Sequence, residues 1–319
     1  MKGLSLTGRM RAAALTRRQV RIIVVNPRGR LQVVATPIGN LSDLSPRARQ
    51  ALEAADVIAA EDTRHTLALL QAIGVSRPLL SLHAYNETQR TPELLARLEA
   101  GETIVLVSDA GTPLLSDPGF ELVRDAARAG YEVLAIPGPS AITTALAVAG
   151  LPTSRFCFEG FLPARERERR GYLAGLANET RTIVFFEAPH RIMEMLTDLA
   201  TELGNDRQAA VAREMTKAHE TVYRGTLKDL AALSRSEPNF QRGEITVVVA
   251  GAPAGPASVD TRLLRQAVEL LSKELPPGRA AAIAAQLTGA KRSDVYALIT
   301  RVSGSRHAAE DSDDTEVTS

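Results

Sequence analysis

Short apolar runs recur along residues 30–150, and each is separated from the next by a segment with helical spacing. The runs are rich in β-branched residues, as expected for strands that are buried on both faces of a parallel sheet. Strictly alternating strands and helices predict a parallel α/β domain. The predicted strands are Leu31–Ala35, Val57–Ala60, Leu79–Leu82, Ile104–Val107 and Tyr131–Ile136, and the predicted helices are Pro46–Ala55, Thr66–Ile73, Pro92–Ala100, Pro118–Ala129 and 141–148.

A second α/β domain is predicted over residues 151–252, after a linker at Leu151–Ser154. Its strands and helices follow the same periodicities as those of the first domain. The predicted strands are Phe156–Glu159, Thr182–Phe186, Gln208–Ala212, His219–Tyr223 and Glu244–Ala250, with helices over 165–177 and 189–202.

Three further helical patterns follow a linker rich in Ala, Pro and Gly that starts at Gly251. They cover Thr261–Glu274, Arg279–Leu287 and Ser293–Val302. Two short helices about a glycine-containing turn are typical of a helix-turn-helix, so residues 256–304 are predicted to form a small helix-turn-helix-like domain. A plain three-helix cap is the alternative.

Charge is concentrated at the two ends of the chain. Residues 1–29 contain seven basic and no acidic side chains, whereas residues 305–319 contain one basic and five acidic side chains. We expect both segments to be disordered extensions. For the basic segment an over-long gene start fits equally well, and a transit peptide is the alternative. The remaining chain is nearly balanced, so any contact with RNA must depend on a local basic patch. The alternating charges at 165–170 are typical of a solvated helix face, and an RNA-facing patch is the alternative.

Several classes of protein are excluded by what the sequence lacks. The single cysteine, Cys157, rules out a disulfide framework and predicts a reducing, cytoplasmic location. No C-x-x-C or H-E-x-x-H motif occurs, so no metal is expected. No G-x-G occurs either, which argues against a dinucleotide fingerprint and a Walker A loop. No apolar run is long enough for a membrane helix, so no membrane partner is expected.

Chemistry-bearing residues follow the predicted strands of the first domain. The fourth strand runs into a loop, Asp109–Gly119, with two Gly, two Pro and two Asp in eleven residues. Such loops lie where ligands bind in open α/β sheets, although a simple turn into the next helix is the alternative. The second strand ends in Glu61, Asp62 and Arg64. These side chains could be catalytic, or they could cap the following helix.

The motifs at these strand ends resemble one known family. V-A-T-P-I-G-N-L, A-E-D-T-R-H-T, S-L-H-A-Y-N-E, S-D-A-G-T-P-L-L-S-D-P-G, P-G-P-S-A, F-F-E-A-P-H-R-I and R-E-M-T-K-A-H-E occur in this order. Together they resemble the ribosomal RNA small subunit methyltransferase I family of the tetrapyrrole methylase superfamily. The resemblance covers about Gly29 to Val302. The basic leader and the acidic tail lie outside it.

The resemblance implies a homodimeric enzyme that methylates the ribose 2′-oxygen of a cytidine in the decoding region of 16S rRNA, using S-adenosylmethionine. It also implies a 30S ribosomal subunit or its RNA as partner, and a cofactor in the cleft between the two α/β domains. Residues implied for the cofactor are Thr36, Pro37, Asp109, Ala110, Gly111, Thr112, Ser140, Ala141, Phe186, Ala188 and Ala212.

A base that takes the ribose proton would aid the transfer, and Glu61, Asp62, Arg64, His83 and Glu214 are the unranked catalytic candidates. RNA contacts are expected from Arg64, Arg213, Lys217, Lys291 and Arg292. Two other functions remain open at this point. One is a C-methyltransferase of a corrin or porphyrin precursor, and the other is a binding module without catalysis.

Overall fold

The computed structural model describes residues 29–253 and 261–300 of the chain. Their contacts divide the chain into two compact units, whose boundary lies between Pro139 and Ser140. The short segment Ile38–Asn40 belongs to the second unit, although the residues on either side of it belong to the first.

The first unit is built on a five-stranded sheet in the order β3-β2-β4-β1-β5, and all of its strand pairs are parallel. Helices cover both faces. One face packs Leu52, Leu70 and Val105 in its core, and the other packs Leu94, Leu106 and Leu122. The elements are β1 Arg30–Val34, α1 Pro46–Ala54, β2 Val57–Ala60, α2 Thr63–Ala72, β3 Leu79–Ser81, α3 Glu87–Glu99, β4 Thr103–Val107, α4 Phe120–Arg128 and β5 Glu132–Ile136.

The second unit contains a mixed five-stranded sheet in the order β6-β7-β10-β8-β9. Only the β6–β7 pair is parallel, and the other pairs are antiparallel. Phe185, Phe240 and Leu196 lie in the largest core cluster of this unit. The elements are α5 Ala141–Ala149, β6 Phe156–Phe161, α6 Glu166–Gly175, β7 Thr182–Glu187, α7 Ile192–Leu203, β8 Gln208–Arg213, β9 Thr221–Thr226, α8 Leu227–Ser236 and β10 Ile245–Val249.

Three helices form the last described part of the chain, namely α9 Thr261–Glu274, α10 Pro277–Thr288 and α11 over 292–300. Val268, Ala284 and Ile299 pack in a small core of their own. Gly289 has a left-handed backbone at the end of α10, which provides the tight turn expected between the two helices of a helix-turn-helix.

The predicted α/β architecture is confirmed, and the differences concern single elements. Helix α3 begins at Glu87 and not at Pro92, so the proline lies inside the helix. Helix α8 was not predicted at all. Helix α5, which the predicted boundary at residue 150 assigns to the first domain, contacts β8 and β10 of the second unit instead. Its apolar face, with Ile142 and Leu146, packs in that core. The predicted extensions 1–29 and 305–319 lie almost wholly outside the described residues.

Candidate functional site

The carboxyl ends of β1 and β4 are joined directly in the first unit. Thr36 and Gly111 exchange two backbone hydrogen bonds, of 2.9 and 3.0 Å, in an isolated antiparallel bridge. The Thr36 hydroxyl also donates to the Ser108 carbonyl oxygen at 3.4 Å. Gly111 has a φ of 82°, which favours glycine at this position. The bridge fixes the predicted cofactor residues Thr36, Pro37 and Gly111 at the carboxyl ends of the strands, where open α/β sheets generally bind ligands.

Three carboxylates follow β2 and β4 at the same edge. The Asp62 backbone N–H donates to Asp109 Oδ1 at 3.0 Å, and the Asp109 N–H faces Glu61 Oε2 at 3.4 Å. The two strand ends are therefore tied together by side chain to backbone bonds in both directions. His65 Nδ1 lies 3.5 Å from Asp109 Oδ2. The structure thus brings together Glu61, Asp62 and Asp109, as expected from their places in the sequence.

Asp117 joins this group, although the sequence interpretation did not select it. Burial, followed by the charges of Asp117 and Asp109, raises the pKa of Glu61. Burial also raises the pKa of Asp117, which is hydrogen bonded to Ser108 and repelled by Asp109. Carboxyl groups whose pKa values are raised by burial and by neighbouring carboxylates are concentrated at functional sites.

Asp62 has the capping role that the sequence offered as one alternative, and the catalytic role of Asp62 and Arg64 stays a prediction. Asp62 is the N-cap of α2, because its Oδ1 accepts the Arg64 backbone N–H at 2.8 Å. The Arg64 guanidinium contacts Asp62 Oδ2 at 2.6 Å while 90% of its side chain remains exposed. Hydrogen bonds from Arg64 hold the pKa of Asp62 far below its usual range. Asp62 is therefore a cap whose ionised form is stabilised by Arg64, and Arg64 stays accessible to a ligand.

The loop 109–119 has an unusual backbone. Leu114 and Ser116 have φ values of 73° and 75°, in the left-handed region that residues with a side chain seldom adopt. The Thr112 hydroxyl donates to the Pro139 carbonyl at 3.1 Å, and the Ser108 hydroxyl lies 3.4 Å from the Ala110 carbonyl. Strain of this kind is concentrated at ligand-binding loops.

His83 lies at the carboxyl end of the edge strand β3. Its backbone N–H donates to Asn86 Oδ1 at 2.8 Å, and its ring atom Nδ1 is buried without a hydrogen-bond partner in the structure. The ring is half-buried. The register of β2 and β3 pairs Ala60 with Ser81, so Asp62 and His83 lie on adjacent strand ends.

In the second unit, β7 ends at Phe186 and Glu187. Phe186 contacts the rings of Phe158 and Phe161 with centroids at 4.8 and 5.7 Å. The Glu187 side chain is fully buried, and its Oε2 lies 3.2 Å from Arg191. Burial raises the pKa of Glu187, although the bond from the Ala188 N–H opposes the shift. An apolar ring and a backbone fixed by Glu187 therefore line this strand end.

The loop after β8 is held by a charged network. Glu214 has a φ of 51°, and its Oε1 accepts both Lys217 Nζ and the Glu244 N–H at 2.8 Å. Lys217 Nζ also lies 3.3 Å from Glu244 Oε2, and a side chain at Gly39 would collide with the Lys217 stem. Burial lowers the pKa of Lys217, but Glu214 and Glu244 outweigh that effect and raise it. Lys217 is thus engaged by two carboxylates.

Arg213 has even less freedom. It is buried, and its guanidinium donates to the carbonyls of His219 at 3.0 Å and Arg242 at 3.4 Å. These contacts favour a structural role for Arg213 and Lys217 over the predicted phosphate contacts. Lys217 also engages Glu214, whose pKa the Lys217 hydrogen bond lowers, so Glu214 is a weaker base candidate than Glu61.

The other predicted cofactor residues of the second unit lie near one core cluster. Ala212 is buried on β8, and Ala141 packs on the same cluster at the start of α5. Ser140 occupies the N-cap position of α5, and no side-chain capping bond is made there. Its hydroxyl is half-buried. Ser140 is therefore positioned to offer a polar group to a ligand at a helix N-terminus.

The remaining basic residues that were considered for RNA lie on α6 and at the start of α11. Along α6, Arg165, Arg169 and Arg170 each contact an acidic side chain, and Arg169 is buried 2.7 Å from Asp198. This pairing favours the solvated-face interpretation of 165–170. Lys291 and Arg292 are exposed at the start of α11, where Arg292 makes one long contact of 3.4 Å with the Gly278 carbonyl.

The donor set of the first unit fits a polar organic cofactor. Asp109 offers carboxylate oxygens, Thr112 offers a hydroxyl oxygen, and Gly111 offers a backbone surface without a side chain. Gly138 lies close to Ala35, so a Cβ at position 138 would be tightly packed. Within residues 29–253 and 261–300, no three His, Cys, Asp or Glu side chains are arranged so that they could hold a metal ion. No helix in these ranges is both long and apolar enough to span a bilayer.

Two family models match the chain. The model of the Tetrapyrrole (Corrin/Porphyrin) Methylases matches residues 30–231, and the model of the RsmI C-terminal HTH domain matches residues 258–300. The sequence is 53% identical to the ribosomal RNA small subunit methyltransferase I of Xylella fastidiosa (strain Temecula1) over 268 residues, which cover 84% of this chain and 98% of that protein. It is 46% identical to the protein of the same name from Escherichia coli O157:H7, covering 85% and 94%.

Solved structures share the fold at low sequence identity. The methyltransferase CobJ matches with a TM-score of 0.54 and 21% identity, over 70% of this chain and 95% of its own. Diphthine synthase matches with a TM-score of 0.54 and 19% identity, over 69% and 89%. These two similarities concern the fold alone.

Proposed function

The chain belongs to the ribosomal RNA small subunit methyltransferase I family of tetrapyrrole methylases, and from this we propose that it methylates RNA of the small ribosomal subunit. The acceptor is the ribose 2′-oxygen of a cytidine in the decoding region of 16S rRNA, and the methyl donor is S-adenosylmethionine. The observation that carries the proposal is the match to relatives over nearly their whole length, including the C-terminal helix-turn-helix.

The first unit supplies the groups that this reaction requires. S-adenosylmethionine, when bound, provides an electrophilic methyl group on a positively charged sulfur. Asp109 and the loop Ala110–Thr112 would hold its polar groups, while the bridged Thr36 and Pro37 form a rigid wall. The cluster of carboxylates Glu61, Asp62 and Asp109 at this edge attracts a positively charged ligand. Alignment of the acceptor oxygen with the methyl carbon and the sulfur supplies much of the rate.

Glu61 is the best candidate for the base among the residues predicted from the sequence. A base must accept the proton of the ribose hydroxyl as the oxygen–methyl bond forms, and a raised pKa improves proton acceptance as long as the group is ionised at the working pH. Burial and the neighbouring carboxylates raise the pKa of Glu61. Asp62 is a poorer base, because its hydrogen bonds with Arg64 stabilise the ionised form.

The remaining parts of the proposal concern partners. A ribosomal substrate implies work in the cytoplasm, and the family resemblance implies a homodimer. Phe186, Ala188 and Ala212 of the second unit, with Ser140 and Ala141, stay predicted cofactor residues. Arg64, Lys291 and Arg292 stay predicted RNA contacts, because their side chains are accessible at a strand end and a helix start.

The experiment is a comparison of acceptors under one set of conditions. Purified protein and labelled S-adenosylmethionine are incubated with 30S subunits, naked 16S rRNA or uroporphyrinogen. We expect label in the ribosomal RNA and none in the tetrapyrrole. A 2′-O-methyl group blocks alkaline cleavage of the adjoining phosphodiester, so the product should show a gap in the alkaline ladder at one cytidine. Label without such a gap would reject the 2′-oxygen, and label in uroporphyrinogen alone would reject the ribosomal substrate.

A further inference from the structure

One aromatic side chain at the predicted active edge of the first unit is almost fully exposed to solvent. Tyr85 follows the edge strand β3, and it is 99% exposed, which makes it the most exposed large apolar residue among those that the structure describes. Its only described aromatic contact is with the His83 ring, edge to face, with centroids 6.1 Å apart. A tyrosine ring left entirely in water gains nothing from the hydrophobic effect.

The backbone turn that carries Tyr85 is held by three hydrogen bonds of Asn86. Asn86 Oδ1 accepts the His83 N–H at 2.8 Å, Asn86 Nδ2 donates to the Ser81 carbonyl at 3.2 Å, and the Asn86 N–H donates to the His83 carbonyl at 2.9 Å. These bonds close a tight turn with Tyr85 at its tip. Because the backbone of this turn is already ordered, a ligand that binds to the ring needs to order only the side-chain torsions of Tyr85.

The other polar residues of the H-A-Y-N-E motif have structural partners. Asn86 ties the turn, and the Glu87 carboxylate accepts the backbone N–H groups of Gly119 and Glu121 at 3.0 and 2.7 Å, which caps the start of α4. Requirements of the fold therefore explain the Asn and the Glu in this motif. They do not explain an aromatic residue at position 85.

The charges beside Tyr85 suit a nucleotide. The β2–β3 register places His83 next to Asp62, whose charge is matched by Arg64. Arg64 and His65 are 90% and 72% exposed, so hydrogen-bond donors for a phosphate follow β2, the strand adjacent to β3. Glu61 and Asp117 have no described basic partner. They follow β2 and β4, which lie inward from the edge strand β3 in the sheet order.

We propose that Tyr85 is a stacking platform for an unstacked base of the RNA substrate, next to the nucleotide that is methylated. This inference rests on the proposed function and adds a specificity-determining residue to it. A ribose within folded rRNA becomes accessible when its nucleotide leaves the base stack, and single-stranded nucleotides are commonly held by stacking on exposed aromatic side chains. Strand β3 is the outermost strand of its sheet. A residue that follows it is therefore accessible to a macromolecular substrate.

Kinetics with the full-length protein test the role. Tyr85→Ala should lower kcat/KM for 30S subunits by about one to two orders of magnitude, the range reported by alanine substitution of stacking residues. Tyr85→Phe, which keeps the ring, should retain most of the activity. Affinity for S-adenosylhomocysteine should stay within about twofold for both variants. Tyr172→Ala is the control, at a tyrosine of the second unit that is 43% exposed and donates to Glu159, and its kcat/KM for 30S subunits should stay at the wild-type value.

A direct readout is available because the chain contains no tryptophan. Tyr85→Trp therefore places a single indole at this position, and stacking of a base on it should quench its fluorescence. The probe is a short single-stranded RNA that contains cytidine, and heparin is the control polyanion. We expect quenching by the RNA and not by heparin.

Three results would overturn the inference. They are wild-type kinetics for Tyr85→Ala, an unquenched Tyr85→Trp in the presence of bound RNA, and a change in oligomeric state of Tyr85→Ala, which would make Tyr85 a contact between copies of the chain. Failure of the wild-type protein to methylate any ribosomal RNA is a different outcome. It would refute the proposed function before the Tyr85 variants are compared.

Discussion

Asp109 is the residue at which the two central strand ends meet, and its side chain is 39% exposed. We expect Asp109→Ala to weaken binding of S-adenosylhomocysteine by about 1.5–3 kcal/mol, the contribution of one hydrogen bond to a charged group. The fold should persist, because the lost bond to the Asp62 N–H is at the surface. Calorimetric titration measures the affinity.

Asp125→Ala is the control for this change, because Asp125 is an acidic residue of the same unit that lies on α4 and pairs with Arg124. Its substitution should leave the cofactor affinity unchanged. If a folded Asp109→Ala variant binds the cofactor as tightly as the wild type, Asp109 does not belong to the site.

Asp117 leads to a prediction about stability. The folded-state pKa values of Glu61 and Asp117 lie above their ordinary values, so the folded state binds more protons than the unfolded state. The contribution of these two groups to stability therefore falls as the pH rises from about 4 through their raised pKa values. Asp117→Asn removes one of these charges and should increase the free energy of unfolding at pH 7 by up to about 1 kcal/mol.

Urea denaturation at pH 7 and pH 4 measures this effect, and the gain should shrink at pH 4, where the carboxyl groups are partly protonated. Asp125→Asn is the control, because hydrogen bonds with Arg124 lower the pKa of Asp125 instead of raising it. This variant should show no increase in the free energy of unfolding at pH 7. A destabilised Asp117→Asn variant at pH 7 would show that the Ser108 bond outweighs the repulsion.

Asp117 shows why part of the candidate site could not be predicted from the sequence. Glu61, Asp62 and Asp109 were predicted because each directly follows a strand, and parallel strands bring their ends together. Asp117 lies ten residues beyond β4, and it reaches Glu61 only because Leu114 and Ser116 adopt left-handed backbone conformations. Non-glycine residues rarely adopt this conformation, and no local sequence pattern predicts it at these two positions.

At the scale of elements, α8 is the helix that sequence interpretation missed. It has a recognisable signal, because Thr226 and Asp229 form a capping box in which each side chain accepts the other's backbone N–H. Its buried residues Leu227 and Leu230 pack in the main core of the second unit. Thr226→Ala should therefore lower the free energy of unfolding by about 1 kcal/mol.

Thr201→Ala is the matched control for the cap. Thr201 is exposed on α7, and its hydroxyl bonds only to the Thr197 carbonyl within the same helix. Alanine is the better helix former there, so this variant should be neutral or slightly more stable. Denaturant unfolding of both variants tests the comparison, and equal stability of the two would contradict the capping role.

Other elements differ from expectation for a tertiary reason. Proline favours the first turn of a helix, which supports a start at Pro92. The chain instead begins α3 at Glu87, since the Asn86 turn and the contacts of Glu87 with the start of α4 fix the backbone earlier. Similarly, α5 joins the second unit because its small apolar residues pack on β8 and β10. Neither contact is local in sequence, so neither can be inferred from periodicity.

At the scale of the whole molecule, the main question is what the C-terminal helices contribute to substrate binding. The structure describes three helices around their own core, and the matching family model identifies a helix-turn-helix. In such motifs the second helix contacts the nucleic acid with residues of its first turn. Here that helix is α11, and its start carries Lys291 and Arg292, both exposed.

We predict that the double variant Lys291→Glu and Arg292→Glu binds 30S subunits at least about tenfold more weakly, and that its affinity depends less on salt concentration, because about two phosphate contacts are lost. Acidic residues are favourable near a helix N-terminus, so the domain should remain folded. Cofactor affinity should not change, because every predicted cofactor residue precedes Gly251. Filter binding over a series of salt concentrations provides the measurement.

The control for this variant is Lys273→Glu, which also reverses a basic charge in the helical domain. Lys273 lies near the end of α9 and pairs with Glu269 at 3.5 Å, so it is not expected to contact RNA. If the double variant and the control bind 30S subunits equally well, the helices form a structural cap. RNA selection would then fall to the α/β units, where Arg64 is accessible beside the carboxylates of the β2 and β4 ends.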